Sequence, residues 1–189
     1  PEGDVWTHTL RAIDEAAKIR DQVDPDWRLA FLFGVLLHDT GKPLVTDPES
    51  LTAYGHAEAG IGEARRFMER ICDQDELVER VISIVGNHMQ ARNLLTGNAK
   101  IGGWRRFHKR IRLDIMGWHA YVDKRARSLE PESADCRSAK ACFNYFEKIE
   151  NEPVAPVLTG KHLIEAGFQP GKDFKKILEK AYDHQRETG

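Results

Sequence analysis

The stretch that decides the fold covers residues 24–43 and reads DPDWRLAFLFGVLLHDTGKP. An Asp followed by a Pro is a typical helix start, because Asp caps free backbone N–H groups and Pro fits the first helical position. Residues 29–37 are apolar on every side, a pattern that also fits a buried strand. The start signal and Gly41, placed as a helix stop, favour a central buried helix. Such a helix carries His38 and Asp39 to the edge of the core.

The rest of the chain also has a helical pattern, and no stretch alternates like a strand. Residues 43–54 and the Gly- and Asn-containing stretch before Trp104 are predicted to be loops. Further helices are predicted after Asp4, over about 55–71, around 77–88, as one long helix through 104–121, over about 132–150, and as two short segments around 160–167 and 171–186. We therefore predict an all-α domain over residues 1–150, a linker at 151–156, and a small helical extension over 151–189.

The composition is that of an ordinary globular domain, with 41% hydrophobic and 31% charged residues in 189. The net charge of -2 gives no overall attraction for nucleic acid, so such binding would need a local patch. Cys72, Cys136 and Cys142 lack CxxC spacing, which argues against a disulfide framework and for a reducing, cytoplasmic location. The longest apolar run is too short to span a membrane, and no segment resembles a signal peptide.

Several polar residues stand where apolar ones are expected. His8 and His88 lie on inward-facing lines of their helices, and Asp114 lies in the apolar stripe of the long helix. A buried carboxylate must be paired, hydrogen-bonded or bound to a metal. For one isolated Asp, a nearby arginine is the more common partner, and a single inward His is more often a core residue. Taken with His38 and Asp39, however, the set suits Mn, Fe, Ni, Co or Mg, and the lack of thiolates disfavours structural zinc.

The order of His8, His38-Asp39 and Asp114 resembles the H…HD…D order of the HD phosphohydrolase superfamily, whose fold is a helical bundle. Local sequences are similar to the C-terminal HD half of bacterial proteins of the tRNA nucleotidyltransferase and poly(A) polymerase family. The similar segments are PEGDVWTHTL at 1–10, LHDTGKP at 37–43, GHAEAG at 55–60, NHM at 87–89, RLDIMGWH at 112–119, LTGKHLIEAG at 158–167 and PG at 170–171.

This resemblance implies a divalent-metal site and a set of catalytic residues. The implied ligands of a first metal are His8, His38, Asp39 and Asp114. His56 and His88 would lie across the same pocket, as ligands of a second metal or as contacts to phosphate. The implied catalytic residues are Asp39, Lys42, His56 and His88, with the Lys42 ammonium neutralising a phosphate oxygen. Without the resemblance, His56 is equally a solvent-facing residue at a helix start and Lys42 is a surface lysine.

Asp123 competes with Asp114 for the last ligand position. Asp114 is preferred for its D-x-x-x-x-H spacing to His119 and for its place on the predicted buried stripe. Asp123 begins the charged stretch 123–127, which is interpreted as a solvated helix face. The basic run at 105–112 is likewise interpreted as the solvent side of a helix, with RNA contact as the less favoured alternative.

The resemblance also has departures. The loop after Lys42 contains no arginine, where related enzymes often have one. The chain contains no Gly-Gly-x-Val-Arg-Asp segment and no paired Asp-x-Asp, so nucleotide addition is not expected of it. Because it begins at Pro1 without a methionine, we expect it to be part of a longer protein.

The function implied by the resemblance is metal-dependent hydrolysis of phosphate esters. The expected substrates are nucleotides or RNA ends, such as those bearing 2′,3′-cyclic phosphates, and contact with tRNA is possible. Two alternatives stay open: a non-catalytic tRNA-binding module, and an HD nucleotidase that acts on free nucleotides. The sequence does not indicate an oligomeric state.

Overall fold

The computed structural model describes residues 4–128, 130, 132, 134–151 and 155–188, and all regular structure within these ranges is helical. The α-helices are α1 Val5–Ile19, α2 Pro25–Leu37, α3 Lys42–Val45, α4 His56–Glu69, α5 Asp75–Asn87, α6 Gln90–Thr96, α7 Ile101–Arg110, α8 Leu113–Ala126, α9 Arg137–Asn151, α10 Gly160–Glu165 and α11 Lys172–Thr188. The predicted all-α class is confirmed. Over the same residues, no helix has both the length and the apolar character needed to cross a membrane.

Both helix starts that the sequence marked clearly are present. The Asp4 side chain accepts a hydrogen bond from the backbone N–H of Thr7 at 3.0 Å and caps α1. The Asp24 side chain accepts one from the backbone N–H of Asp26 at 2.9 Å, and Pro25 is the first residue of α2. These caps satisfy N–H groups that have no partner within the helix.

The apolar helix α2 is central, as predicted, and packs against α1, α5 and α8. Phe31 and Val35 are fully buried in this packing. At Gly34 the backbone of α2 comes so close to α5 that a Cβ atom would lie 2.6 Å from Ile84 Cγ2. This close approach brings the C-terminal ends of α2 and α5, with His38 and His88 as their next residues, into one region.

The predicted long helix through 104–121 is wrong, because two helices occupy this region. Ile111, with φ −158° and ψ 144°, is extended and ends α7, and α8 begins at Leu113. The Arg112 guanidinium binds Asp24 at the start of α2 and Asp114 at the start of α8, and so ties the break to its neighbours. The break also changes which face of α8 is buried.

Smaller differences occur elsewhere. The predicted loop at 43–54 begins with the short helix α3, and the stretch expected to be a loop before Trp104 contains α6. The helix predicted from about 132 begins at Arg137. The two C-terminal helical segments are present as α10 and α11, and α11 packs against α7. The middle of the predicted linker, 152–154, lies outside the described residues, and the division into 1–150 and 151–189 stays a prediction.

Candidate metal centre

Four side chains from two helices and the C-terminal end of α2 converge on a small volume. His8 Nε2 lies 2.9 Å from Asp123 Oδ1, 3.3 Å from His38 Nε2 and 3.7 Å from Asp39 Oδ2. His38 Nε2 lies 3.2 Å from Asp39 Oδ2 and 3.5 Å from Asp123 Oδ1. His8, His38 and Asp39 are buried, and the Asp123 side chain is only 17% exposed. These four donors form the first donor set.

The separations in the first donor set are those of ligands around one cation. With metal–ligand bonds of about 2.1 Å, adjacent donors lie about 3.0 Å apart in octahedral and about 3.4 Å apart in tetrahedral geometry. The five measured separations range from 2.9 to 3.7 Å. Five of the six donor pairs therefore have separations compatible with binding to one first-row divalent ion, and His8, His38 and Asp39 form a group that could hold it.

The structure corrects the prediction for Asp114. Its carboxylate accepts hydrogen bonds from Arg112 Nε at 3.1 Å and from Arg112 Nη2 at 2.6 Å. It stands in the first turn of α8, whereas the carboxylate that contacts His8 and His38 is that of Asp123, nine residues further along the helix. Asp114 is therefore paired with a nearby arginine, which is the more common role of an isolated Asp.

Asp123 is the site residue that sequence reasoning missed. Its charged neighbours suggested a solvated face, yet the buried side of α8 runs through Ile115, His119 and Val122. One turn beyond His119 on this side is Asp123, because residues four apart share a helix face. The H-x-x-x-D spacing from His119 to Asp123 was the available signal.

A second donor set shares Asp39 with the first. Asp39 Oδ1 lies 3.4 Å from His56 Nε2, which lies 2.9 Å from His88 Nε2. His119 lies beside it, with its ring centroid 5.1 Å from that of His38 and 5.6 Å from that of His88. Each oxygen of Asp39 thus faces a different group of imidazoles. Such an arrangement allows one carboxylate to bridge two bound groups.

Three of the histidines are held by their other ring nitrogen. The Nδ1 atoms of His38, His56 and His88 lie 2.8, 2.7 and 2.7 Å from the carbonyl oxygens of the residues three positions before them. A carbonyl oxygen can only accept, so each Nδ1 carries the proton and each Nε2 is turned toward the cluster. Metal-binding histidines are commonly oriented by a hydrogen bond of this kind. Histidines that only fill a core would not need to turn their Nε2 atoms toward one common point, so this arrangement favours a binding role.

The electrostatics of the cluster suit a cation. Burial by itself lowers the pKa of His38, but its hydrogen bonds to Asp123 and Asp39 outweigh burial and raise that pKa to about 9. Burial raises the pKa of Asp39 and Asp123, yet the contacts with His38 hold both pKa values below the ordinary range. Burial and repulsion from His38 lower the pKa of His88 to about 3. The two carboxylates therefore favour a positive charge at the position of His38, while the neighbouring imidazole of His88 is neutral.

Lys42 stands at the edge of the cluster. Its Nζ lies 2.6 Å from Asp39 Oδ2, one helical turn along the chain, and its side chain is 25% exposed. The Lys42 ammonium therefore forms an ion pair with the Asp39 carboxylate and is not an isolated surface charge. From this place it neutralises part of the negative charge of Asp39.

Buried polar atoms without partners also mark the site. Among the described residues, neither Asp39 Oδ1 nor His119 Nε2 has a hydrogen-bond partner, although both atoms are buried; the 3.4 Å contact of Asp39 Oδ1 with His56 Nε2 does not form a hydrogen bond. A buried carboxylate oxygen without a partner is costly unless it binds an ion or another group. Because the two donor sets contain only nitrogen and oxygen donors, they fit the divalent ions expected from the sequence.

Gly41 holds the turn after Asp39 against the start of α4. A Cβ atom at Gly41 would lie 2.0 Å from the carbonyl oxygen of His56 and 2.4 Å from the backbone nitrogen of Gly60. These are backbone atoms, so relief requires α4 to shift. The close approach therefore fixes the distance between His56 and Asp39.

We expect Gly41→Ala to lower the free energy of unfolding by about 3 kcal/mol, at the upper end of the usual range for overpacking. The matched control is Gly62→Ala in α4, where a Cβ atom meets nothing within 4 Å. That change should raise stability by about 0.5–1 kcal/mol, because Ala is the better helix former. Urea denaturation of both variants measures the difference, and equal stabilities would contradict the close packing.

Comparison with known proteins adds the family context. The HD domain family matches residues 5–133. The CC-adding tRNA nucleotidyltransferase of Thermus thermophilus is 31% identical over 189 residues, covering 96% of this chain and 41% of that protein. The multifunctional CCA protein of Halorhodospira halophila is 42% identical over 96 residues, covering 50% of this chain and 21% of that protein. The multifunctional CCA protein of Psychromonas ingrahamii is 26% identical and covers 96% and 42%. The chain thus spans less than half the length of these curated relatives.

Proposed function

The chain belongs to the HD domain family, and on this premise we propose that it is a metal-dependent phosphohydrolase acting on nucleotide or RNA-end phosphate esters. The observation that carries the proposal is the sharing of Asp39 between two sets of donors. One oxygen lies near His8 and His38, which also contact Asp123, and the other oxygen faces His56. Such a bridge can hold a divalent ion and place a second ion or a phosphoryl group beside it.

The proposed metal ligands are His8, His38, Asp39 and Asp123, so Asp123 replaces Asp114 in the set taken from the sequence. Imidazole-rich sites favour Mn, Fe, Co or Ni over Mg, which prefers oxygen donors and retains water. When bound, such an ion supplies Lewis-acid polarisation of the phosphoryl group and a nucleophilic water at neutral pH. Membership of the HD domain family supports a divalent metal at this site. Which metal it is belongs to the proposal.

The remaining residues bind and orient the substrate. Contacts with His38 hold the pKa of Asp39 below its ordinary range, so we assign Asp39 to binding and orientation and not to proton transfer. The ammonium of Lys42 faces both Asp39 and solvent, where it can neutralise a non-bridging phosphate oxygen. His56 Nε2 and His88 Nε2 are within hydrogen-bond distance. Because its low pKa makes His88 a poor proton donor, we assign proton donation to the leaving oxygen to His56.

The substrate class follows from the relatives. Their names describe CC-adding to tRNA and multifunctional CCA proteins. We infer that this chain is the HD part of a tRNA nucleotidyltransferase-like protein and that it acts on 2′,3′-cyclic phosphates, 2′-nucleotides or RNA ends that carry such groups. The free thiols of Cys72, Cys136 and Cys142 agree with the cytoplasmic location proposed from the sequence.

The first test is metal binding. After removal of metal with EDTA, adding Mn²⁺ or Ni²⁺ at about 100 times its dissociation constant should stabilise the fold by about 2.7 kcal/mol. In a domain of this size, that stabilisation raises Tm by about 5–10 °C. Thermal unfolding monitored by circular dichroism measures the shift, and elemental analysis of the purified protein identifies the resident ion.

Ca²⁺ serves as the control for this test, because it prefers six to eight oxygen ligands. We expect it to raise Tm much less than Mn²⁺. A Tm that is unchanged by every transition metal would contradict the metal centre. Turnover of 2′,3′-cyclic AMP and of bis(p-nitrophenyl) phosphate by the same metal-loaded samples then tests the hydrolase.

The second candidate function is a tRNA-binding module without catalysis, favoured by the tRNA-directed names of the relatives. Gel shifts with tRNA at two salt concentrations, beside the turnover assay, separate the two. Binding without turnover supports the module. Turnover of free nucleoside phosphates in preference to RNA ends would support the nucleotidase.

A further inference from the structure

A cleft of about 730 Å³ opens beside the metal centre. His88 of the second donor set and Asp123 of the first both line it, so the cleft is continuous with the cluster. The other described residues that line it come from α6 and α8, from positions flanking these helices, and from residues 135–138 at the start of α9. A cavity of this volume is in the usual range for sites that enclose a small ligand.

The charges along the cleft do not cancel. Two carboxylates line it, and each already has an arginine: Asp123 Oδ1 is 2.8 Å from Arg127 Nη2, and Asp135 Oδ2 is 2.8 Å from Arg137 Nε. Arg92 and Lys124 line the cleft as well. Within the part of the chain that the structure describes, neither of these two forms a salt bridge, and both are exposed. The cleft therefore carries an excess of two positive charges in a chain whose net charge is -2.

Among the described residues, Arg92 and Lys124 are the two cations of the cleft that have no carboxylate partner. Arg92 is on α6 and Lys124 is on α8, so they approach the cleft from different helices. Neither belongs to a donor set. Cations that line a cleft and have no carboxylate partner are suited to phosphate oxygens of a ligand. Met89 and Leu95 add apolar surface to the same cleft, which suits a ribose or base.

We propose that this cleft binds the 3′-terminal nucleotides of a single-stranded RNA, with Arg92 and Lys124 contacting phosphodiesters upstream of the terminal phosphate. The proposal rests on the proposed function, and it narrows the substrate to an oligonucleotide end in preference to a mononucleotide. Arg92 and Lys124 are then specificity-determining residues. Arg127 has a separate task, because its guanidinium orients the Asp123 carboxylate.

The test is a binding measurement that does not depend on turnover. A short fluorescent oligoribonucleotide ending in a 3′-phosphate is titrated with the protein in EDTA, and fluorescence anisotropy gives Kd. We expect the double variant Arg92→Ala/Lys124→Ala to bind at least about 10-fold more weakly. Its plot of log K against log salt should lose about 1.4 units of slope, since each phosphate contact to a single strand contributes about 0.7.

Arg70→Ala/Lys180→Ala is the matched control, because it removes the same charge from exposed positions that do not line the cleft. It should bind like the wild type. Equal Kd values for the two double variants, or no binding by the wild type, would overturn the proposal. Hydrolysis of 2′,3′-cyclic AMP is measured separately on the metal-loaded wild type. If that hydrolysis is present but the two double variants bind alike, the cleft assignment fails and the proposed function stands.

Discussion

Replacing Asp123 with alanine is expected to lower metal-dependent turnover of 2′,3′-cyclic AMP by at least about 100-fold. Changes to residues that only orient a metal ligand commonly cost 10–100-fold, and a direct ligand should cost at least as much. Asp123 Oδ1 lies 2.9 Å from His8 Nε2 and 3.5 Å from His38 Nε2, so its loss removes one of two carboxylates from the first donor set. Steady-state kinetics with saturating metal, and titration of the metal itself, measure the effect.

Asp114→Ala is the matched control, since it removes the same group from the same helix. Asp114 binds Arg112, which keeps Asp24 as a second partner. We expect turnover within about twofold of the wild type and a loss of stability of about 1 kcal/mol, near the upper limit for a partly exposed ion pair. The opposite pattern, in which Asp114→Ala is inactive and Asp123→Ala is active, would restore the ligand set taken from the sequence.

The contrast between these two aspartates shows how far the sequence could predict the site. His38 and His88 each follow the last residue of a helix, and His56 is the first residue of one. Helix ends carry local signals, such as Asp24 and Pro25 at the start of α2, so the ends and the residues on them are predictable. Once these helix ends are predicted, a bundle with α2 at its centre is enough to bring the histidines on them together.

Asp123 differs because it lies within a helix, where the buried face depends on where the helix begins. Each residue turns an α-helix by about 100°. If the apolar periodicity of α7 is continued across the break into α8, the wrong face of α8 is therefore predicted to be buried. Ile111 is extended, and it is neither Gly nor Pro, so no local signal marked the break between α7 and α8. The apolar spacing that continued through Ile111 placed Asp114 inward. Tertiary contacts of Arg112 with Asp24 and Asp114 hold the break, and these cannot be predicted from local spacing.

The second large effect is expected from Arg125→Met, which should lower the free energy of unfolding by about 3 kcal/mol at pH 7. Arg125 and Glu15 are both buried, and the Arg125 guanidinium donates a hydrogen bond to the Glu15 carboxylate. The pair joins α1 to α8. Without Arg125, the buried Glu15 keeps only Lys18, whose side chain is 60% exposed. A buried charge that loses its partner is strongly destabilising, and urea denaturation measures the loss.

The stability gap between wild type and Arg125→Met should shrink as the pH falls. Burial raises the pKa of Glu15, but hydrogen bonds from Lys18 and Arg125 outweigh burial and lower it below the ordinary value. A lowered pKa in the folded state gives stability that is present above the unfolded pKa of about 4.3 and is lost on acidification. In the variant the folded pKa rises, so protonation of Glu15 begins at higher pH and relieves the buried charge. Denaturation at pH 7 and pH 4.5 should therefore show a larger gap at pH 7.

The double variant Glu15→Met/Arg125→Met separates the loss of a partner from the loss of packing. Apolar residues of similar volume commonly replace a buried ion pair at little or no cost, so the double variant should recover most of the stability. Metal binding gives a further measurement, because Glu15 lies two turns after His8 on α1 and Arg125 lies two residues after Asp123 on α8. If the pair aligns these ligands, Arg125→Met weakens metal binding about 10–100-fold, as changes to supporting residues do. A double variant as unstable as Arg125→Met would show that packing by the Arg125 side chain, and not the stranded carboxylate, is what holds α1 against α8.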